Sequence, residues 1–129
     1  MEHIKITDLC VGDWVMYDLK PYIVQQIDGE SEHVVISGSD GVREKHIDYI
    51  EPICIKLEML EKNGFTLPWR KGKEWVLQNH TWRVGVTLRK NGYWHINSDE
   101  GKFCLKNARH IHQLQHALRL AGIDKEIEL

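Results

Sequence analysis

Turn-forming residues interrupt this chain at short intervals, and this spacing constrains the fold more than any other feature. Dipeptides such as Gly12-Asp13, Asp28-Gly29 and Asn91-Gly92 are typical of tight turns. The segments between such turns are short and rich in β-branched and aromatic residues, which favour strands. The sequence therefore predicts mainly antiparallel β-structure, with helices confined to two segments of helical periodicity.

The first part of the chain has the element order of a small barrel. Four short strands are predicted at residues 14–17, 22–27, 34–36 and 42–46. One helical turn at residues 47–50 and a last short strand near Pro52 follow them. This order resembles a small SH3-like antiparallel β barrel. The resemblance covers about residues 8 to 55, and we therefore assign residues 1–55 to a first, SH3-like module.

The second part begins with a connecting helix. Ile55, Met59 and Leu60 have the spacing of a short amphipathic helix, which Gly64 ends, and we assign residues 56–65 to this connection. Four more strands follow, predicted at residues 75–77, 81–89, 93–97 and 102–105.

A final helix closes the second part. Asn107 is expected to cap its N-terminus, and Ile111, Leu114, Leu118 and Ala121 recur at helical spacing until Gly122. This apolar stripe is expected to pack on the second sheet. Residues 66–129 therefore form an antiparallel sheet with a packed C-terminal helix, and the fold class is α+β. Separate modules and a single shared core remain open alternatives.

The loop around Asn91-Gly92 permits two strand registers. A two-residue loop mixes polar and apolar side chains on both faces of the hairpin. A three-residue loop, with Gly92 left-handed in a bulge, pairs Arg89 with Tyr93 and separates the two kinds of side chain. We predict the three-residue loop, whose polar face contains Arg83, Thr87, Arg89, Tyr93, His95 and Asn97.

Composition narrows the class of protein. The chain has 129 residues, of which 42% are hydrophobic and 28% charged, as expected for one globular domain or two very small modules. No apolar run approaches the roughly 20 residues of a membrane helix, and the chain start does not resemble a secretory signal. Cys10, Cys54 and Cys104 form no Cys-x-x-Cys pair, so neither a disulfide framework nor a cysteine zinc site is predicted. We expect a cytoplasmic protein.

Charge is distributed unevenly, although the formal net charge is only -2. Residues 1–65 contain 6 Lys/Arg and 13 Asp/Glu, whereas residues 66–110 contain 9 Lys/Arg and 3 Asp/Glu. Such asymmetry indicates either a surface for an anionic ligand or two modules that attract each other.

Both ends and the centre of the chain resemble one family. The quoted segments are Gly12-Asp13-Trp14-Val15, Glu51-Pro52-Ile53, Lys62-Asn63-Gly64-Phe65, and the closing helix His-Gln-Leu-Gln-His-Ala-Leu-Arg-Leu-Ala-Gly-Ile at residues 112–123. They are similar to a family of small uncharacterised proteins of Bacteroides-type bacteria, often in phage-like or mobile genetic regions. Residues 66–105 have no counterpart in this resemblance, and it implies no activity.

Catalytic and metal-binding patterns are weak. His112 and His116 stand four apart on the predicted helix, a spacing that allows two imidazoles to share a metal, but the motif lacks a third ligand. We predict a structural or solvent-facing role for these histidines. The sequence shows neither an activated nucleophile nor a phosphate-binding glycine loop, so no catalytic activity, cofactor or metal is expected.

Positive side chains crowd the predicted start of the last helix, where Lys102, Lys106, Arg109 and His110 lie close together. Cations are unfavourable at this positive end of a helix dipole. Either Asp99 and Glu100 compensate locally, which we favour, or an anion binds the free backbone N–H groups.

The polar hairpin face is the main candidate surface. It combines positive charge with an aromatic ring, and a basic stretch flanks it; the candidate residues are Arg70, Lys71, Lys73, Arg83, Arg89, Tyr93 and His95, with Arg109 and His110 as anion candidates. A solvated sheet face is the alternative. We expect an accessory or protein-interaction module with a protein partner, or else a weak nucleic-acid-binding protein using segment 69–95. Neither expectation specifies the oligomeric state.

Overall fold

The computed structural model describes residues 3–68, 72–79, 81–98 and 103–129, and of residues 103–106 it describes the backbone alone. The chain divides into two units, Met1–Ile53 and Cys54–Leu129. Helix α1 (Leu57–Lys62), which the sequence suggested as a connection, belongs to the second unit. Each unit contains one four-stranded antiparallel sheet, which the alternation of short strands and turns required.

The first sheet is a meander in which consecutive strands are neighbours. Its strands are β1 (Trp14–Tyr17), β2 (Lys20–Asp28), β3 (His33–Gly38) and β4 (Gly41–His46). Between Val24 and Gln26 the register of β2 against β3 shifts, so that Gln25 forms a β-bulge. A 3₁₀ turn at Ile47–Tyr49 follows β4, as the sequence predicts.

One side of this sheet forms the core of the first unit. The buried cluster consists of Ile4, Leu9, Val15, Tyr22, Val24, Val34, Ile36, Ile47 and Ile50. Arg43 and Lys45 lie opposite Ile36 and Val34, and paired residues project to the same side of a sheet. The two basic side chains of β4 therefore project to the core side of the sheet, where Arg43 remains exposed and the Lys45 ammonium lies 5.0 Å from the centroid of the Tyr17 ring.

The predicted SH3-like barrel is not confirmed. In the described part of the first unit, β1 pairs with β2 and β4 pairs with β3, so the sheet does not close. The last short strand is reduced to an isolated bridge between Met16 and Glu51.

The second unit confirms the α+β class. Its sheet runs in chain order and consists of β5 (Glu74–Gln78), β6 (Arg83–Leu88), β7 (Trp94–Ser98) and β8 (Phe103–Ala108), with α1 (Leu57–Lys62) before it and α2 (Ile111–Leu120) after it. Gly64 has φ of 88° just after α1, and the Phe65 N–H donates to the Leu60 carbonyl at 3.0 Å. The predicted glycine cap is therefore confirmed.

The β6–β7 hairpin has the three-residue loop that the sequence predicts. Leu88 pairs with Trp94, the Arg89 N–H donates to the Tyr93 carbonyl at 2.8 Å, and Gly92 has φ of 85°. This register separates apolar from polar side chains on the two faces.

The start of α2 differs from the expectation. Strand β8 continues to Ala108, so Asn107 lies in the strand opposite His95 and the predicted cap at Asn107 is wrong. His110 is the N-cap, and the Gln113 side-chain oxygen accepts hydrogen bonds from the N–H groups of Arg109 and His110 at 2.8 and 3.0 Å. Of the predicted stripe, Ile111, Leu114 and Leu118 are buried and Ala121 is half-buried, and Ala117 is buried beside them.

Neither helix of the described residues is long and apolar enough to cross a membrane.

Candidate binding face of the second sheet

The side chains of the second sheet divide into an apolar and a polar face. Val84, Val86, Trp94 and Ile96 are buried on the apolar face. The residues that alternate with them project to the opposite side. Polar members of this opposite side, which we call the polar face, are Glu74, Gln78, Arg83, Thr87, Arg89, Tyr93, His95, Asn97, Asn107 and Arg109.

Three side chains stand in one row at the hairpin end of the polar face. Arg89 pairs with Tyr93, and Trp94 pairs with Ala108, which places Tyr93 beside Arg109. The Arg109 guanidinium carbon lies 5.4 Å from the centroid of the Tyr93 ring, and Tyr93 remains 38% exposed. This arginine row, Arg89–Tyr93–Arg109, presents an aromatic ring between two exposed cations.

The backbone of Arg109 is held on both sides. Its N–H donates to the Gln113 side chain, and its carbonyl accepts from the Ile55 N–H at 3.0 Å. Because these bonds fix the junction between β8 and α2, the Arg109 side chain leaves the backbone from a defined position beside Tyr93.

Further along the polar face, Arg83 is already engaged. Its guanidinium donates to the Glu74 carboxylate at 2.6 Å, and the Asn97 amide donates to the other carboxylate oxygen at 3.2 Å. The Glu74 side chain crosses over Gly85, where an added Cβ would lie 2.6 Å from the carboxylate carbon. The charge of Arg83 is therefore neutralised within the face.

These contacts also determine the ionisation of Glu74. Burial alone would raise the pKa of Glu74, but hydrogen bonds from Arg83 and Asn97, together with the positive charge of Arg83, hold it below its ordinary value. Glu74 is accordingly a carboxylate at neutral pH, and the Glu74–Arg83 pair is an ion pair.

His95 lies between the arginine row and this ion pair. It is paired with Thr87 on one side and Asn107 on the other, and its Nδ1 lies 3.1 Å from the Asn107 side-chain oxygen. In neutral His95 the proton then sits on Nδ1, because an amide oxygen only accepts hydrogen bonds.

Among the described residues, two further candidates, Lys73 and His110, do not join the polar face. Lys73 is exposed just before β5, and the ring of His110 stacks on His112 with centroids 5.7 Å apart. Arg70 and Lys71 lie outside the described residues, as do Asp99, Glu100 and Lys102, and the Lys106 side chain is not described. The anion expectation for the start of α2 therefore stays a prediction, as does the structural role of His112 and His116.

Sequence reasoning missed the part that Glu74 plays. Glu74 is the sole acidic residue between residues 66 and 98, and an isolated carboxylate in a basic sheet is a signal for an internal ion pair. It also placed Arg109 at a helix start, because the length of β8 was underestimated by three residues at its end.

Comparison with known proteins gives no relative: no protein-family model, no curated protein and no solved structure matches the chain.

Proposed function

We propose that this chain is an accessory binding module without catalytic activity, whose second unit binds single-stranded nucleic acid weakly through the arginine row. The observation that carries the proposal is the register that places Tyr93 between Arg89 and Arg109 on one exposed face. A base can stack on a tyrosine ring while arginines contact the neighbouring phosphates.

The internal ion pair argues for weak binding. Of the three arginines on the polar face, Arg83 is neutralised by Glu74, so the phosphate contacts are assigned to the exposed Arg89 and Arg109. Two phosphate contacts supply little affinity, and that affinity depends on salt. The first unit, with 4 Lys/Arg and 11 Asp/Glu in residues 1–53, adds a repulsive field for a polyanion.

The test separates stacking from charge. Anisotropy of a short fluorescein-labelled oligothymidylate, titrated at low salt, gives the affinity of wild type and variants. Tyr93→Ala removes the ring and is expected to weaken binding by about 1–3 kcal/mol, whereas Tyr93→Phe keeps the stacking surface and retains most of the affinity. Arg119→Ala, which removes one exposed positive charge from α2, serves as the control for net charge.

Two results would overturn the proposal. Absence of binding at low salt, where electrostatic attraction is strongest, removes nucleic acid as a ligand. Equal losses in Tyr93→Phe and Tyr93→Ala, or in Arg119→Ala and Arg109→Ala, show that neither the ring nor the row is recognised.

A protein partner is the second candidate, which the sequence favoured. The observation that supports it is Leu120, a large apolar side chain that is 83% exposed at the end of α2. An apolar protein interface depends weakly on salt, whereas phosphate contacts weaken steeply, so salt dependence distinguishes the two candidates.

We further infer that the first unit is an SH3-like variant with an open sheet. Support comes from the meander order, the 3₁₀ turn after β4, and the Met16–Glu51 bridge on β1. The Lys45 ammonium over the Tyr17 ring brings side chains of the two edge strands together, as a strongly curled sheet would.

A further inference from the structure

The outer side of the first sheet has a different charge from its inner side. Arg43 and Lys45 of β4 project to the core side of the sheet, while Glu44 between them projects to the opposite side beside Val35. On β2, Asp28 projects outward opposite His33. Asp28 and Glu44 belong to a unit with an excess of acidic residues.

A cavity of about 190 Å³ opens on this outer side. Its polar walls are Gln26, Asp28, His33 and Glu44, and apolar side chains including Val35 line the rest. The cavity lies next to the β-bulge at Gln25, which shifts the register of β2 against β3. A bulge bends its strand and increases the local twist, and this distortion accounts for a concave site on a small sheet.

The two carboxylates and the histidine of the cavity supply hydrogen-bond acceptors. Hydrogen bonds from the Ser31 side chain and the N–H groups of Ser31 and Glu30 lower the pKa of Asp28, so this group is a carboxylate at neutral pH. His33 Nδ1 lies 2.8 Å from the Ser31 carbonyl. In neutral His33, Nδ1 donates to that carbonyl, and Nε2 is left as an acceptor.

The two acidic residues of the cavity stand well apart on the sheet. Asp28 pairs with His33 and Glu44 with Val35, so they stand on β2 and β4 with β3 between them and with an offset of two residues. Strand spacing of about 4.8 Å and a rise of about 3.4 Å per residue separate their Cα atoms by roughly 12 Å. A long ligand with several diverging hydrogen-bond donors matches the separation of Asp28 and Glu44 better than a metal ion does.

We propose that this cavity binds an arginine side chain presented by a protein partner. The guanidinium carries five N–H donors in a rigid plane and is weakly hydrated, and its aliphatic stem suits the apolar wall. Its positive charge complements Asp28, Glu44 and the acidic unit around them. The site lies in the first unit, so it is independent of the nucleic-acid surface proposed for the second.

The experiment titrates isotope-labelled full-length protein with the blocked tripeptide acetyl-Gly-Arg-Gly-amide and follows backbone amide shifts. Shifts are expected at Gln26, Asp28, His33, Val35 and Glu44, and the matching citrulline peptide, which has the same shape without charge, should give weaker binding. A lysine peptide, with a compact ammonium, should also bind more weakly.

Three variants locate the site. Glu44→Gln is expected to weaken binding about two- to fivefold, the range of a solvent-exposed ion pair. Glu30→Gln removes the same charge from a residue that does not line the cavity, and should leave binding nearly unchanged. Val35→Phe fills the cavity without changing charge and should abolish the shifts, with the fold checked from unaffected amides elsewhere in the unit.

Several outcomes would overturn the proposal. Equal effects of Glu44→Gln and Glu30→Gln mean that the peptide senses only the net charge of the unit. Equal affinity for the citrulline peptide means that the guanidinium is not recognised, and binding that survives Val35→Phe places the peptide outside the cavity. None of these results bears on the arginine row, which the oligonucleotide titration tests separately.

Discussion

Gly85 lies beneath the carboxylate of Glu74, and its replacement by alanine should break the ion pair of the polar face. A methyl group there would lie 2.6 Å from the carboxylate carbon and 3.0 Å from Cγ of Glu74, closer than real contacts allow. Gly85 is absent from the glycines with positive φ, so alanine is compatible with its backbone. The conflict is with one side chain.

Three contributions determine the expected change in the free energy of unfolding on Gly85→Ala. Displacing Glu74 loses a part-exposed ion pair with Arg83, which contributes about 0.5–1 kcal/mol. It also loses the hydrogen bond from Asn97, which is only 6% exposed, and that loss costs about 1 kcal/mol. Alanine stabilises a strand by about 0.5–1 kcal/mol relative to glycine. Gly85→Ala should therefore cost about 1 kcal/mol net.

The effect of Gly85→Ala on the stability of the second unit should change from destabilising to stabilising when Glu74 is absent. In a Glu74→Ala background no carboxylate opposes the new methyl group, so Gly85→Ala should stabilise the second unit by about 0.5–1 kcal/mol. Urea unfolding followed by tryptophan fluorescence measures both cases, because four of the five tryptophans lie in residues 54–129. Gly29→Ala lies in the first unit, where an added Cβ meets nothing within 4 Å, and should leave the unfolding of the second unit unchanged.

Equal effects of Gly85→Ala in the two backgrounds, within the usual error of about 0.5 kcal/mol, would refute this reasoning. Glu74 would then lie elsewhere in solution, and Arg83 would count among the exposed cations.

Two further predictions concern stability. Leu118→Ala should destabilise the second unit by about 2–5 kcal/mol, since Leu118 is 1% exposed. Leu120 is 83% exposed, so Leu120→Ala should change stability by less than about 0.5 kcal/mol. Urea unfolding followed by circular dichroism compares the two variants. The folded-state pKa of Glu74 is depressed, so its stabilising contribution is present above its ordinary pKa of about 4.5 and is lost as pH falls through the folded value. The stability difference between wild type and Glu74→Gln should therefore shrink in acid, and a difference that persists to low pH would contradict the ion-pair assignment.

Local chemistry in the sequence was sufficient for much of the fold. Turn residues and strand propensity approximately locate the eight strands that the structure describes, and the choice between two hairpin registers followed from the separation of polar from apolar side chains at Arg89–Tyr93. The burial of Leu114 and Leu118 followed from helical spacing. These features depend on neighbours along the chain.

The features that the sequence did not reveal depend on pairing between distant segments. Asn107 is a reasonable helix cap by residue type, but pairing of Trp94 with Ala108 extends β8 through it. The same extension moves Arg109 from a helix start into the arginine row. Barrel closure depends on the curvature of a whole sheet, and residue patterns in single strands do not determine it.

The salt dependence of oligonucleotide affinity tests the arginine row most directly. Each phosphate of a single strand that the protein neutralises contributes about -0.7 to the slope of log affinity against log salt concentration. Two phosphate contacts, from Arg89 and Arg109, therefore predict a slope of about -1.4. The double change Arg89→Ala, Arg109→Ala should bring the slope close to zero. Glu74→Ala should steepen it by about 0.7, because Arg83 loses its internal partner. A slope that is the same in all three proteins would contradict the account.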